Sequence, residues 1–225
     1  MTPEARPSKL SEAISLGQKE IRQHYPTIAS IAHSVIQIAP YKDGYPLGLG
    51  SGVVIDGNRI LTAAHVVADA QRLVYYMSAN RMRLSTSGGG KVIIDESLDI
   101  ALVPLPKVFH DMIRPVTYTP DITDDNPQFL IGYPQYDRRL DWELGRDATI
   151  HTVLASMGIE GRLTAIVLDP FLAIPAGASG SPIVDSTGIL HGIATQGISR
   201  EGSRSNTVIF AMPMNAIQKA FASEL

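Results

Sequence analysis

Three short segments of the sequence each carry a residue type that nucleophilic catalysis uses. His65 follows two alanines at the end of an apolar run, Asp99 stands among apolar residues, and Ser179 lies in a turn dense in small residues. A serine hydroxyl becomes an effective nucleophile when a histidine accepts its proton and an acid orients that histidine. The three segments therefore predict a catalytic triad.

Taken singly, each segment has a structural interpretation. His65 alone would be a hydrogen-bonded structural histidine, Asp99 a turn residue, and the serine segment a surface loop. Asp95 is a competing acid, but apolar residues directly follow Asp99, and a buried carboxylate there needs a donor such as an imidazole N–H. The chain order His, Asp, Ser favours catalysis, because it is the order in which the triad occurs on double β-barrels.

The spacing also fits a site between two halves of the chain. His65 and Asp99 are 34 residues apart, and Ser179 follows 80 residues after Asp99, so the first two belong to one half and the serine to the other. Gly177 and Gly180 allow backbone conformations that other residues avoid. We therefore expect the N–H groups of Gly177 and Ser179 to form an oxyanion hole.

Composition excludes several other classes of protein. The chain has 225 residues, a net charge of −3 and no cysteine, which argues against a nucleic-acid surface, a disulfide framework and thiol chemistry. Its histidines lack the close pairing of a metal site, and we expect neither a metal nor an organic cofactor. The first 30 residues contain no apolar run of a secretion signal or membrane span, which predicts a cytoplasmic protein if Met1 is the native start.

Short β-branched runs separated by turn residues predict an all-β fold. Six candidate strands lie on each side of a linker at 120–127, among them 50–56, 72–77, 100–104 and 128–132. Their number alone leaves a sandwich and a barrel equally open. A helix is expected within 8–23, ended before Pro26, and we favour its packing on the main domain over a role in docking or oligomerisation. A second short helix is expected over 215–222.

Six segments in order resemble the trypsin-like peptidase superfamily, with closest similarity to HtrA-type (Deg) protease domains. They are Gly50 to Ile55 with Ile60 to Val67, Asp99 to Leu102, Phe129 to Pro134, Gly177 to Pro182, Ile189 to Thr195, and Phe210 to Pro213. The resemblance implies two six-stranded antiparallel β-barrels, at about 31–119 and 127–213, after an N-terminal helical extension (1–30) and before a C-terminal helix (214–224). It also implies a serine endopeptidase acting on proteins or peptides.

The sequence departs from that family in four respects. We expect neither a peptide-binding PDZ module after the protease segment nor a secretion signal before it. Ser181 replaces the second glycine of the commoner nucleophile turn. Ala178 stands where trypsin-like zymogens have an aspartate that pairs with a newly cut N-terminus, so that route of activation is not expected.

Substrate contact is expected along Ala194, Thr195 and Gln196, as a strand that pairs with an extended peptide. The pocket for the residue before the cleaved bond should lie between this strand and the segment around Ala173. That segment carries no charge, which predicts a preference for small or medium apolar residues.

Three other functions compete with an active endopeptidase. One is a binding or scaffold protein that keeps the fold without activity, and another is an esterase using the same triad. The third is a conditional peptidase whose oxyanion turn is aligned by an activating protein partner at the N-terminal helix. No nucleic acid or membrane partner is expected.

Overall fold

The coordinates are a computed structural model. It describes residues 18–77, 82–86, 91–119, 128–133, 148–157, 163–167, 177–198 and 208–225. The expected linker at 120–127, the segment around Ala173 and the first part of the N-terminal helix lie outside the described residues.

Two short helices precede the sheets: α1 (Gln18–His24) and α2 (Pro26–Ile31). Pro26 is the first residue of α2, a position where its missing N–H costs no hydrogen bond. Ile21 and Ile28 are buried, and Nη2 of Arg22 donates to the carbonyl oxygen of Ala148 at 2.6 Å. The described helices therefore pack on the main domain, which is the interpretation that the sequence favoured.

The first half of the chain forms an eight-stranded antiparallel sheet. Seven strands follow the order β6-β5-β1-β3-β4-β8-β7, and β2 pairs with β1. This sheet has two strands more than the six expected, and in the described residues its path is not closed. The four-residue helix α3 (Ala64–Val67) follows β4 directly. The strands are β1 (Val35–Lys42), β2 (Tyr45–Pro46), β3 (Gly50–Asp56), β4 (Arg59–Ala63), β5 (Arg72–Met77), β6 (Met82–Thr86), β7 (Ile93–Asp95) and β8 (Ile100–Pro104).

The second half forms a closed six-stranded barrel, in the order β10-β11-β14-β13-β12-β9. Its neighbouring strands are antiparallel, so the predicted all-β class is confirmed. A final helix, α4 (Met214–Ala220), follows the barrel. The strands are β9 (Gln128–Gly132), β10 (Thr149–Met157), β11 (Leu163–Val167), β12 (Pro182–Asp185), β13 (Leu190–Ile198) and β14 (Val208–Pro213).

Alternation along the strands divides the core into three clusters. In β3, Val53 and Ile55 face one cluster and Val54 faces another, as the two-residue period of a strand requires. Leu130 of β9 faces the interior of the second barrel. The largest cluster contains residues from both halves and from α1, α2 and α4, so an apolar interface joins the halves and the helices.

A buried hydrogen bond between Asp185 and His191 closes the turn between β12 and β13. Oδ2 of Asp185 lies 3.0 Å from Nε2 of His191, and both side chains are almost fully buried. The other carboxylate oxygen accepts from the backbone and side chain of Thr187 and from the N–H of Ile189. Burial acts to raise the pKa of Asp185, but these hydrogen bonds outweigh it and hold the pKa below its ordinary value.

We expect Asp185→Asn to lower the free energy of unfolding by about 3 kcal/mol at pH 7, because the buried donors around this carboxylate lose their hydrogen bonds to a charged acceptor. The pKa is lower in the folded protein than in the unfolded chain. The ionised carboxylate therefore stabilises the fold above about pH 4, and this contribution disappears as pH falls through the folded-state pKa.

Urea unfolding at pH 7 and pH 3 measures this effect. The difference between parent and Asp185→Asn should shrink at pH 3, whereas Asp69→Asn, at an exposed aspartate, should match the parent at both. An undiminished difference at pH 3 would contradict the assignment to the carboxylate charge.

Candidate active site

His65 lies in α3, which begins at the end of β4. Pairing of β4 with β8 places Ala63 opposite Ile100, so the residue after β4 meets the residue before β8. The side chain of His65 is half exposed, with 50% of its surface accessible. This exposure leaves the ring edge free to meet a substrate.

Asp99 fixes both the backbone and the ring of His65. Its Oδ2 accepts from Nδ1 of His65 at 2.7 Å, and its Oδ1 accepts from the backbone N–H of His65 at 2.9 Å. The carbonyl oxygen of Asp99 also accepts from the N–H of Ala64 at 3.0 Å. These contacts satisfy N–H groups that the first turn of a helix leaves unpaired. With Nδ1–H donating to Asp99, Nε2 is the nitrogen that can accept a proton.

The backbone of Asp99 adopts a left-handed conformation, with φ of +55°, which Asp tolerates better than most residues. Asp95 supports this turn by accepting from the hydroxyl of Ser97 at 2.6 Å and from the N–H of Leu98 at 3.1 Å. The two acids therefore have different positions: Asp95 stabilises the turn, and Asp99 contacts the histidine.

The carboxylate of Asp99 is held in its ionised form. Partial burial acts to raise its pKa, but hydrogen bonds from the ring and backbone of His65, and the charge that the ring can carry, lower the pKa below its ordinary value. An ionised acid at Nδ1 stabilises an imidazolium, which is the state that proton transfer to His65 would create.

Ser179 lies in a turn whose shape depends on two glycines. Gly177 and Gly180 have φ of +99° and +83°, in the region that favours glycine. A Cβ at Gly180 would lie 1.9 Å from the carbonyl oxygen of Ser51, so both conformation and space require glycine there. The N–H of Gly180 donates to the carbonyl oxygen of Ala194 at 2.7 Å.

The first half of the chain holds this turn from behind. The N–H of Ser51 donates to the carbonyl oxygen of Ser179 at 2.7 Å, and the Ser51 hydroxyl donates to the carbonyl oxygen of Gly177 at 2.9 Å. Sequence reasoning missed Ser51, although a serine between two glycines at the start of an apolar strand was a visible signal.

The hydroxyl of Ser181 is buried without a hydrogen-bond partner among the described residues. It lies against Gly132, where an added Cβ would come within 1.9 Å of the Ser181 oxygen. Ser181 therefore occupies space that Gly132 provides, and it does not face the solvent.

An open cleft of about 450 Å³ brings the predicted triad together. Eight residues line it: His65, Ser97, Leu98, Asp99, Ser179, Thr195, Gln196 and Gly197. Within the described residues, His65 forms a hydrogen bond with Asp99. No hydrogen bond joins Ser179 to His65 there. Such bonds are often long without substrate and tighten in its complex.

The predicted substrate strand divides between cleft and core. Thr195 and Gln196 line the cleft, whereas Ala194 is 2% exposed and faces the barrel interior. The N–H of Ala194 donates to Ser181, and its carbonyl oxygen accepts from Gly180. Ala194 therefore supports the turn that carries Ser179. Ala173 lies outside the described residues.

The described residues contain neither a metal-binding cluster nor a membrane-spanning helix. Across ranges 18–77, 91–119 and the later described segments, no group of three or more His, Cys, Asp or Glu side chains could hold a metal ion. Among the described helices, none has the length and apolar character needed to cross a membrane.

Comparison with known proteins agrees with the fold. A chloroplastic Protease Do-like 1 of Arabidopsis thaliana is 30% identical over 185 residues, which cover 76% of this chain and 38% of that relative. The chain thus spans less than two fifths of that relative's length.

Solved structures share the architecture. A serine endoprotease from Yersinia pestis matches with a TM-score of 0.65 at 22% identity, covering 88% of this chain and 64% of that one. The Rv3671c protease, solved in an inactive form, matches with a TM-score of 0.65 at 19% identity over 92% and 97% of the two chains. An HtrA-type protease solved with a tripeptide also matches with a TM-score of 0.65, at 20% identity over 88% and 62%.

The family model for the trypsin-like peptidase domain matches residues 50–193, a range that contains His65, Asp99 and Ser179. This match covers more than half of the chain and includes strands β3 to β8 of the first sheet and the turn that carries the serine. The chain belongs to the trypsin-like peptidase family.

Proposed function

We propose that this protein is a serine endopeptidase that cleaves peptide bonds through an acyl-enzyme, with His65, Asp99 and Ser179 as its triad. The observation that carries the proposal is the double contact of Asp99 with the ring and backbone of His65. A turn aspartate needs only one of these bonds. Both together fix the ring and leave Nε2 as the nitrogen that does not bond to Asp99, in a residue that lines the same cleft as Ser179.

In this mechanism the Ser179 hydroxyl attacks the carbonyl carbon of the substrate and gives its proton to Nε2 of His65. Asp99 stabilises the imidazolium, which then protonates the leaving amine. Water, deprotonated by His65, attacks the acyl-enzyme and releases the acid product and Ser179. The N–H groups of Gly177 and Ser179 stabilise the oxyanion of each tetrahedral intermediate, each donor contributing about 3 kcal/mol.

The substrate would lie extended along the cleft edge of β13, at Thr195 and Gln196. Gln196 is exposed, and a strand edge offers backbone groups to an extended peptide. One structural neighbour, an HtrA-type protease, was solved with a tripeptide, which supports a peptide as the ligand. We retain the expected preference for small or medium apolar residues before the cleaved bond.

A conditional peptidase is the second candidate. The described residues contain no Ser179–His65 hydrogen bond, which agrees with a triad completed on binding, whether of substrate or of an activating protein. One structural neighbour was solved in an inactive form. An activating protein would have to use the outer face of α1, because Ile21 already faces the core. Gln23 and His24 are exposed on that helix.

Labelling with a fluorophosphonate, followed by intact-mass analysis, tests the nucleophile. The parent and Ser181→Ala should label, because Ser181 is buried away from the cleft, and Ser179→Ala and His65→Ala should not. A folded parent that does not label would contradict an assembled site and favour the conditional or scaffold alternative. Labelling that persists in Ser179→Ala would place the nucleophile elsewhere.

Replacing Asp99 by Asn should lower kcat by about 10⁴-fold, the loss seen for the corresponding change in the template of this mechanism. Asp95→Asn is the matched control, since Asp95 lies on the same turn without contacting His65. It should stay within a few-fold of the parent. Equal losses of kcat in the two variants would show that activity depends on the shape of the turn and not on the carboxylate at Nδ1.

A peptide library with varied residues before the cleaved bond tests specificity, and matched ester and amide substrates test the class of bond. We expect cleavage after Ala, Val or Leu and measurable amide hydrolysis. Profiles dominated by Arg, Lys or Glu would contradict the uncharged pocket, and turnover of esters alone would favour the esterase.

A further inference from the structure

We infer that Ser51, a residue of the first half of the chain, is a positioning residue for the oxyanion hole of the second half. The inference rests on the proposed function and adds to it a residue outside the triad. Ser51 is fully buried and lies 126 residues before Gly177, to whose carbonyl oxygen its hydroxyl donates.

Three consecutive carbonyl groups of the nucleophile turn are held by hydrogen bonds. The carbonyl of Ala178 accepts from the N–H of Ser181 at 3.0 Å, and the carbonyl of Ser179 accepts from the N–H of Ser51 at 2.7 Å. The carbonyl of Gly177 accepts from the hydroxyl of Ser51 at 2.9 Å. Of these three bonds, the last is the one that depends on a side chain, so a mutation can remove it.

Peptide planarity turns these bonds into constraints on the donors. In a trans peptide the C=O of one residue and the N–H of the next point in opposite directions. The bond at the Ala178 carbonyl therefore directs the N–H of Ser179 away from Ser181. The bond at the Gly177 carbonyl fixes the peptide plane between Gly177 and Ala178. The direction of the N–H of Gly177 relative to this plane then depends on the φ and ψ of Gly177.

Gly177 is the point at which this constraint is needed most. Its φ of +99° is one of many conformations that glycine can adopt, because it has no Cβ. Without the bond from Ser51 to its carbonyl oxygen, Gly177 can change its own φ and ψ and so turn its N–H relative to the N–H of Ser179. The N–H of Gly177 would then spend less time directed at the oxyanion.

The hydroxyl of Ser51 is itself oriented. It accepts from the backbone N–H of Tyr133 at 3.0 Å, which leaves its own proton for the carbonyl of Gly177. The Tyr133 hydroxyl donates to the carbonyl oxygen of Val35, and the hydroxyl of Thr62 donates to the carbonyl oxygen of Ser51 at 2.6 Å. Linked hydrogen bonds of this kind polarise and strengthen one another in a buried site.

The test compares kinetic constants of Ser51→Ala with those of the parent and of Ser34→Ala. Ser34 is a matched control, because its buried hydroxyl also donates to a backbone carbonyl, that of Arg114, at 2.6 Å. We expect Ser51→Ala to lower kcat and the rate of fluorophosphonate labelling by about 10- to 100-fold, less than the loss of a whole oxyanion donor. KM should change by less than about 3-fold, since substrate contacts lie on β13.

A purely structural role would give a different pattern. Both serine variants would then lose thermal stability to a similar degree while kcat stayed near that of the parent, and this result would overturn the proposal. A loss of kcat in Ser34→Ala as large as that in Ser51→Ala would also overturn it.

Ser51→Thr and Ser51→Val keep the proposal testable if Ser51→Ala fails to fold. These variants have the same shape and differ in the hydroxyl, so Thr should retain a kcat at least 10-fold above that of Val. Equal values would contradict the proposal. If the parent does not label, both the proposed function and this inference are overturned. If the parent labels and Ser51→Ala has the kcat and labelling rate of the parent, the inference alone is overturned.

Discussion

The apolar interface between the two sheets is the constraint on which the site depends. The histidine and the acid come from the first sheet and the serine from the second, so no local structure can hold them together. Phe129 and Ile131 of β9 pack in the same cluster as Val53 and Leu61 of the first sheet. Water is excluded from this cluster, and the free energy of burial fixes the relative position of the halves.

Hydrogen bonds then add direction to this packing. Apolar contacts resist separation but permit small rotations, whereas the bonds from Ser51 to the nucleophile turn have a preferred distance and angle. The turn can approach the first sheet this closely because Gly180 lacks a Cβ, since an added carbon would overlap the carbonyl oxygen of Ser51. Glycine at this position therefore serves a contact between the halves as well as the shape of the turn.

Much of the fold and the types of the site residues were predictable from sequence, because they depend on local patterns. The bounds of β3, β5, β8 and β9 agree with those predicted, since β-branched runs and turn residues mark their ends. The two-residue strand β2 and the polar strand β6 gave no such pattern. The first N-terminal helix ends before Pro26 as expected, whereas the second helix, which begins at Pro26, was not expected.

The missed part of the site depends on contacts between distant residues. Ser51 and Gly177 are 126 residues apart, and neither local sequence indicates the other. Ala194 illustrates the same limit: its neighbours Thr195 and Gln196 line the cleft, but both of its backbone groups bond to the nucleophile turn. The sequence predicted that all three residues contact the substrate. It could not reveal the bulge in β13 between Ala194 and Gln196, which changes which backbone groups face the neighbouring strand. The one strand therefore supports the turn that carries Ser179 at Ala194 and lines the cleft at the next two residues.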